Sequence, residues 1–211
     1  MGVQTHFVQG ERVTDKTGLE IAAGALAGLV NKELTAYIIS RGGKAIGISG
    51  ADGGLIKGKL KNPDAGYVGE VVGINTSMID SLLGLGYMPV ISSIGINVYP
   101  SEDDPTLLLN INADVAAGEL TAALKADKLI FLTDTAGIWD QSGNIIHKLS
   151  RTEAESLITS GVAVSGMIPK IRGCIRALDG AVEARIIDGR QEHALLKELD
   201  NGEGGTAIVP D

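Results

Sequence analysis

The chain has 211 residues and carries 18 Lys and Arg against 26 Asp and Glu, a formal net charge of −8. That length suits one domain or two small lobes, and an acidic balance with scattered basic residues argues against binding to a phosphate backbone. One Trp, four Tyr and two Phe are too few rings for a base-stacking platform, so no nucleic-acid partner is expected and Leu, Ile, Val and Ala must fill the core.

Cys174 is the sole cysteine, which leaves no internal disulfide and no CxxC metal site. The opening MGVQTHFVQGERVTD has no basic-then-apolar leader. Apolar runs such as LIFL at 129–132 fall far short of the roughly 18 residues of a membrane span. A cytoplasmic protein without a membrane partner is the expectation.

Thr14 and Asp15 precede a long helical pattern from about Lys16 to Ser40. Its positions Leu19, Ala22, Leu26, Leu29, Val30, Leu34, Tyr37 and Ile38 keep the three-and-four spacing of one buried face. Arg41-Gly42-Gly43 ends it, and 44–49 (KAIGIS) reads as a strand before the turn 50–54. Residues 55–61 and 67–74 read as a β-ribbon. Asn75 and Thr76 can cap a helix over 78–85, and Pro89 opens a buried strand at 90–94. An acidic, turn-rich loop at 99–105 leads to a strand at 107–110, then to a helix that begins at Asn112 or Asp114 and ends near Lys125. KLIFLT at 128–133 has the unbroken apolar character of a parallel strand buried on both faces. A small hairpin around Ser142-Gly143, helices at 151–160 and 169–182, a strand at 183–187, a short helix at 193–199 and a strand at 206–209 complete the chain. Strands alternating with helices predict an α/β fold, with a mostly parallel central sheet covered by helices on both faces.

The 29 glycines, nearly twice the usual share of about 7%, fall singly and in pairs between these segments. They imply tight turns and places where backbone approaches a neighbour or a phosphate. No GxxxxGK[ST] or HExxH occurs, and His6, His147 and His193 lie far apart, so no metal site is expected.

Three clusters can carry chemistry. Arg12-Val13-Thr14-Asp15 sets a cation before the long helix, where Arg12 either clasps a carboxylate through two parallel hydrogen bonds or is a surface residue beside an ordinary cap. Asn110-Ile111-Asn112-Ala113-Asp114 leaves a strand end, the usual ligand edge of α/β proteins, although an Asn and Asp114 also suit a helix cap. Thr133-Asp134-Thr135-Ala136-Gly137 also lies at a strand end. Farther along, Gly166-Met167-Ile168-Pro169-Lys170 puts a lysine in a helix's first turn, where it either meets a bound anion such as phosphate or is a solvated lysine paired with a nearby carboxylate.

One reaction could use all three clusters together. Moving a phosphoryl group onto a carboxylate needs no general base, because the acceptor is already ionised at pH 7. It needs two anions positioned in line and their charge neutralised by Lys, Arg, Mg²⁺ and backbone N–H groups.

With those residues assembled, the chain resembles the acetylglutamate kinases of the amino-acid-kinase fold. The resemblance rests on RVTD at 12–15, GLVNKE at 28–33, SGADGG at 49–54, GYVGEV at 66–71, NINAD at 110–114, LTDTAGI at 132–138, GMIPK at 166–170 and IIDGRQEHALLKEL at 186–199. It implies a three-layer sandwich in a single domain over 1–211, with an acetylglutamate-binding lobe at about 1–110 and a nucleotide-binding lobe at about 111–211. The implied reaction is the arginine-biosynthesis step that converts N-acetyl-L-glutamate and ATP, with Mg²⁺ held mainly by the nucleotide, to N-acetyl-L-glutamyl 5-phosphate and ADP.

By motif position, Arg12 and Asn110 match binders of the substrate α-carboxylate, Lys170 the lysine that stabilises the transferring phosphoryl group, and Asp114 the carboxylate that organises catalytic lysines. Thr133 and Asp134, with Lys170, match the nucleotide pocket. His193, Glu198 and Gly205 resemble the L-arginine feedback site of sensitive members, and a homo-oligomer is implied. The family's opening strand with a second phosphate-binding lysine, and its GGG loop, have no counterpart upstream of Arg12. The sequence therefore leaves open a kinase impaired in this short chain, or a non-catalytic relative that senses acetylglutamate, arginine or nucleotide.

Overall fold

The computed structural model describes residues 7–8, 11–163, 166–202 and 204–211, excepting the side chains of residues 7, 8, 11 and 12. The chain divides into two compact units, Met1–Ala116 and Ala117–Asp211, with the boundary inside a helix.

In the first unit, β1 (Phe7–Val8) and β2 (Glu11–Arg12) form an antiparallel pair. The long helix runs as expected over residues 16–40, but in three parts. These are α1 (Lys16–Ala22), a π-helical stretch at Ala23–Val30 that includes Gly24 and Gly28, and α2 (Asn31–Ser40). Asp15 caps α1 by accepting from the Gly18 N–H at 2.6 Å.

The strands β3 (Ala45–Ser49) and β6 (Met88–Ser92) pair in parallel, and α3 (Ser77–Gly84) lies between them in sequence. The expected ribbon is present as β4 (Ile56–Leu60) and β5 (Val68–Ile74). With β7 (Ile94–Asn97) and β8 (Leu108–Ile111) it closes into a four-stranded barrel in the order β4-β5-β8-β7. Residue 94, read from sequence as the end of the preceding strand, instead opens β7, because the bend at Ser93 sends the chain into the barrel.

The expected buried face of the long helix needs correction. Leu19 is buried, but Leu29, Leu34 and Tyr37 are 62%, 50% and 58% exposed. The side that meets the sheet carries Asn31 and Thr35 instead. The Asn31 amide donates to the carbonyls of Ile48 at 3.1 Å and Val90 at 2.8 Å, bridging β3 and β6. Gly47 permits this approach, since a Cβ there would overlap Asn31 Oδ1. Hydropathy marked a real stripe, but within α2 the side turned inward is the one that carries Asn31, Thr35 and the half-buried Ile38.

The second unit contains α4 (Ala113–Leu124), apart from its first residues, and a four-stranded sheet in the order β10-β12-β11-β9. These strands are β9 (Lys128–Thr133), β10 (Lys148–Ser150), β11 (Glu183–Asp188) and β12 (Thr206–Val209). The β9–β11 and β10–β12 pairs are parallel, whereas β11–β12 is antiparallel. The helices are α5 (Arg151–Thr159), α6 (Ile168–Ala177) and α7 (Ala194–Asn201). A core of Phe131, Leu149, Ile171, Cys174, Ile186 and Ile208 joins sheet to helices. The expected α/β class is thus realised, with helices accompanying parallel strand pairs in both units. No described helix is long and apolar enough to cross a membrane.

Candidate functional site

In the first unit, local hydrogen bonding draws the Arg12 segment to the end of β8. Thr14, 4% exposed, forms a parallel bridge with Gly66 and receives the Tyr67 N–H on its carbonyl at 2.7 Å. Tyr67 in turn accepts the Asn110 N–H at 2.9 Å, and the Asn110 amide donates to Thr14 Oγ1 at 3.1 Å. Residues almost a hundred positions apart thereby become neighbours, with Arg12 two residues before Thr14. The Arg12 side chain lies outside the described residues.

The cluster at 110–114 resolves into distinct tasks. Asn112 caps α4, its Oδ1 accepting from the N–H groups of Asp114 at 2.9 Å and Val115 at 3.1 Å. Asn110 remains on the strand with Thr14, and Asp114 occupies the first turn of α4. Nearby, Tyr67 donates its hydroxyl to Asp104 at 2.8 Å. Hydrogen bonds from Thr106 and Tyr67 hold the Asp104 carboxyl below the usual carboxylate range.

In the second unit, β9 and β11 run in parallel register, with Thr133 beside Asp188 at their carboxyl ends. The Gly189 N–H donates to the Thr133 carbonyl at 2.8 Å, fixing the two exits together. Thr133 is half-buried, Asp134 is exposed, and the buried hydroxyl of Thr135 has no hydrogen-bond partner. Arg190 grips Asp188 with two bonds of 2.9 Å, pulling that carboxyl down to about 2. Lys170 is the third residue of α6, directly after Pro169, and is half-buried. A lysine in a helix's first turn suits an anion, and the hydroxyl at the end of β9 can hydrogen-bond a ligand at that sheet edge.

The residues matched to an arginine site lie at α7 and on the turn that follows it. Gly205 lines a small cavity of about 50 Å³ together with Ala194 and Lys197. Its φ of +61° and the overlap a Cβ would make with the Ile186 carbonyl both require glycine. Glu198 is fully buried, 3.0 Å from Lys128 Nζ and 2.9 Å from Arg185 Nη2. His193 is exposed, in a left-handed conformation ahead of α7, with Nε2 3.5 Å from Glu192.

Sequence reasoning did not join Thr14 to Asn110, and it did not single out the Asp188–Arg190 clasp or the Lys128–Glu183–Arg185–Glu198 network. Among the described residues, no group of three His, Cys, Asp or Glu side chains is placed to hold a metal.

A parallel-stranded α/β chain with these two sets of groups defines a class, that of small-molecule phosphotransferases. The amino acid kinase family profile matches residues 1–188, and the chain belongs to that family. Among curated relatives, acetylglutamate kinase from Dehalococcoides mccartyi strain 195 is 42% identical over 209 residues, covering 99% of this chain and 77% of the relative. The acetylglutamate kinase of Thermosynechococcus vestitus is 44% identical over 215 residues, covering 99% and 71% respectively.

Among solved structures, a Streptococcus mutans UA159 protein superposes with a TM-score of 0.81 at 28% identity, over 99% of this chain and 78% of that one. N-acetylglutamate synthase from Neisseria gonorrhoeae, complexed with coenzyme A and N-acetyl-glutamate, gives 0.82 at 27% identity, over all of this chain and 48% of the synthase.

Proposed function

We propose that this chain transfers the γ-phosphoryl group of MgATP to the side-chain carboxylate of N-acetyl-L-glutamate. The products are ADP and N-acetyl-L-glutamyl 5-phosphate, and the reaction is the phosphotransferase step of arginine biosynthesis, set in the cytoplasm. The observation that carries the reading is 42% and 44% identity to acetylglutamate kinases over 99% of the chain.

The acceptor carboxylate is already an anion, so the chemistry asks for positioning and charge neutralisation rather than for a base. Arg12 and Asn110 bind the α-carboxylate of acetylglutamate, a role supported by the Thr14–Asn110 bond that draws the Arg12 segment to β8. Lys170 neutralises charge on the phosphoryl group in flight, and Asp114 orients lysine ammonium groups. Thr133 and Asp134 contact the nucleotide at the end of β9. Mg²⁺ enters as part of the MgATP substrate.

L-Arginine serves as a feedback ligand. The reading draws support from a second structure of the Neisseria synthase, complexed with coenzyme A and L-arginine, which matches at 25% identity with a TM-score of 0.71. The cavity beside Gly205 is the candidate seat and must widen to admit arginine, while Glu198 keeps its structural ion pairs. The exposed Leu29, Leu34 and Tyr37 face supports assembly with a second copy of the chain.

Trapping the acyl phosphate with hydroxylamine tests the reaction. Hydroxamate that forms only with acetylglutamate, ATP and Mg²⁺ together is the expected result. Calorimetric binding of acetylglutamate and ADP without any turnover would overturn catalysis and leave a ligand-binding relative.

A further inference from the structure

Helices α5 and α6 pack against one another in the second unit, and a cavity of about 400 Å³ opens between them. This is within the usual size range of small-molecule sites. Arg151, Glu155 and Ile158 follow one another at intervals of four and three along α5, so they share a face. Arg172, Ile175 and Arg176 face them from α6, with Asp179 just past its end. The two isoleucines add apolar surface to a lining otherwise rich in charged groups.

The charged groups are not all matched internally. Arg151 pairs with Asp179 at 2.8 Å, and Arg176 pairs with Glu119 at 2.9 Å and also with Asp179. These bonds hold Asp179 below the usual carboxylate range, so it stays ionised and committed. Two cations are thus answered by two carboxylates. Among the described residues, Arg172 on one helix and Glu155 on the other have no hydrogen-bond or ion-pair partner, and both are exposed. One unpaired positive and one unpaired negative group therefore line the cavity together with two isoleucines.

We propose that this cavity binds a free α-amino acid with an apolar side chain. Its carboxylate meets Arg172, its ammonium meets Glu155, and its side chain lies against Ile158 and Ile175. A simple anion would satisfy Arg172 but leave Glu155 repelling it, and a simple cation would do the reverse. A zwitterion answers both ends, and an apolar body contributes the hydrophobic part of the affinity. The site stands on the second unit's own residues and does not depend on the catalytic assignments.

Titration of the full chain with L-leucine, followed by saturation-transfer NMR and calorimetry, tests this. The expected result is saturable binding with a Kd of about 1 mM, in keeping with so small and open a ligand site. N-acetyl-L-leucine (no ammonium), L-leucinamide (no carboxylate) and glycine (no apolar body) should each bind about fivefold more weakly or worse, the weight of one partly exposed contact. Arg172→Gln and Glu155→Gln should each weaken L-leucine about fivefold while leaving the melting temperature unchanged, since neither side chain has a partner to lose. No saturable binding of L-leucine, or binding that both substitutions leave untouched, overturns the proposal. Tighter binding of N-acetyl-L-leucine, with Glu155→Gln silent, would make the cavity an anion site and overturn it equally.

Discussion

The two units solve the packing problem in opposite ways. The barrel of the first unit is closed by bare backbone: a Cβ on Gly69 would lie 2.8 Å from the side chain of Leu109 and 2.9 Å from that of Ile111, and one on Gly95 would lie 2.9 Å from the Ile56 carbonyl oxygen. The second unit packs branched side chains between sheet and helices, then inserts a charged network at its edge, where buried Glu198 is held by Lys128 and Arg185. Added volume threatens the first arrangement, whereas a lost charge threatens the second. Ion pairing is therefore no general support in this molecule, and glycine content no general sign of looseness.

The sharpest way to separate the units is kinetic. Lys170→Ala should lower kcat by about 10²–10³-fold, on the order of 3–4 kcal/mol, with little change in the KM for acetylglutamate. Arg12→Lys, in the first unit, should do the reverse, raising that KM with kcat largely kept, because lysine lacks the planar fork. Steady-state kinetics with each substrate varied reads both, and a common pattern for the two would break the assignment of roles.

Stability gives the next contrast. Arg185→Met leaves Glu198 with Lys128 alone and removes the donor to the carbonyls of Gly202 and Gly204, both at 2.7 Å. It should cost about 3 kcal/mol in urea unfolding. Gly95→Ala should cost about 1–3 kcal/mol through overpacking. If a near-neutral result came from Gly95→Ala, the barrel would be more yielding than its spacing implies.

The smallest effect concerns acid. Burial opposes ionisation of Glu183, but hydrogen bonds from Lys128 and Arg185 outweigh it and hold the carboxyl low. The carboxyl of Asp188, gripped by Arg190, is lowered to about 2. Both groups have folded values below their unfolded ones, so their stabilisation is complete above the unfolded values of about 4. It is lost as pH falls from there through the folded values. Arg190→Gln should thus lower the melting temperature slightly at pH 7, and the difference from the parent chain should vanish below about pH 2.

Local pattern carried the reading wherever neighbours in sequence are neighbours in space. The Asp15 cap, the helix α5 and the β4–β5 ribbon all depend on residues close along the chain. The short β10 escaped because three residues carry too little alternation, and its partner β12 lies far along the chain. The barrel escaped for a related reason: the parallel β4–β7 and β5–β8 pairings join segments that no hairpin connects.

The sequence by itself determined the α/β alternation, the extent of the long helix and the family motifs, because propensity, capping and hydropathy act within a few residues. Tertiary structure alone decided which side of that helix meets the sheet, and it divided Asn110 and Asn112 between a long-range bond to Thr14 and a helix cap. It also closed the buried Glu198 into ion pairs. Each outcome turns on which distant backbone carbonyl, hydroxyl or charge arrives within about 3 Å of a side chain, and no spacing along the chain encodes that arrival.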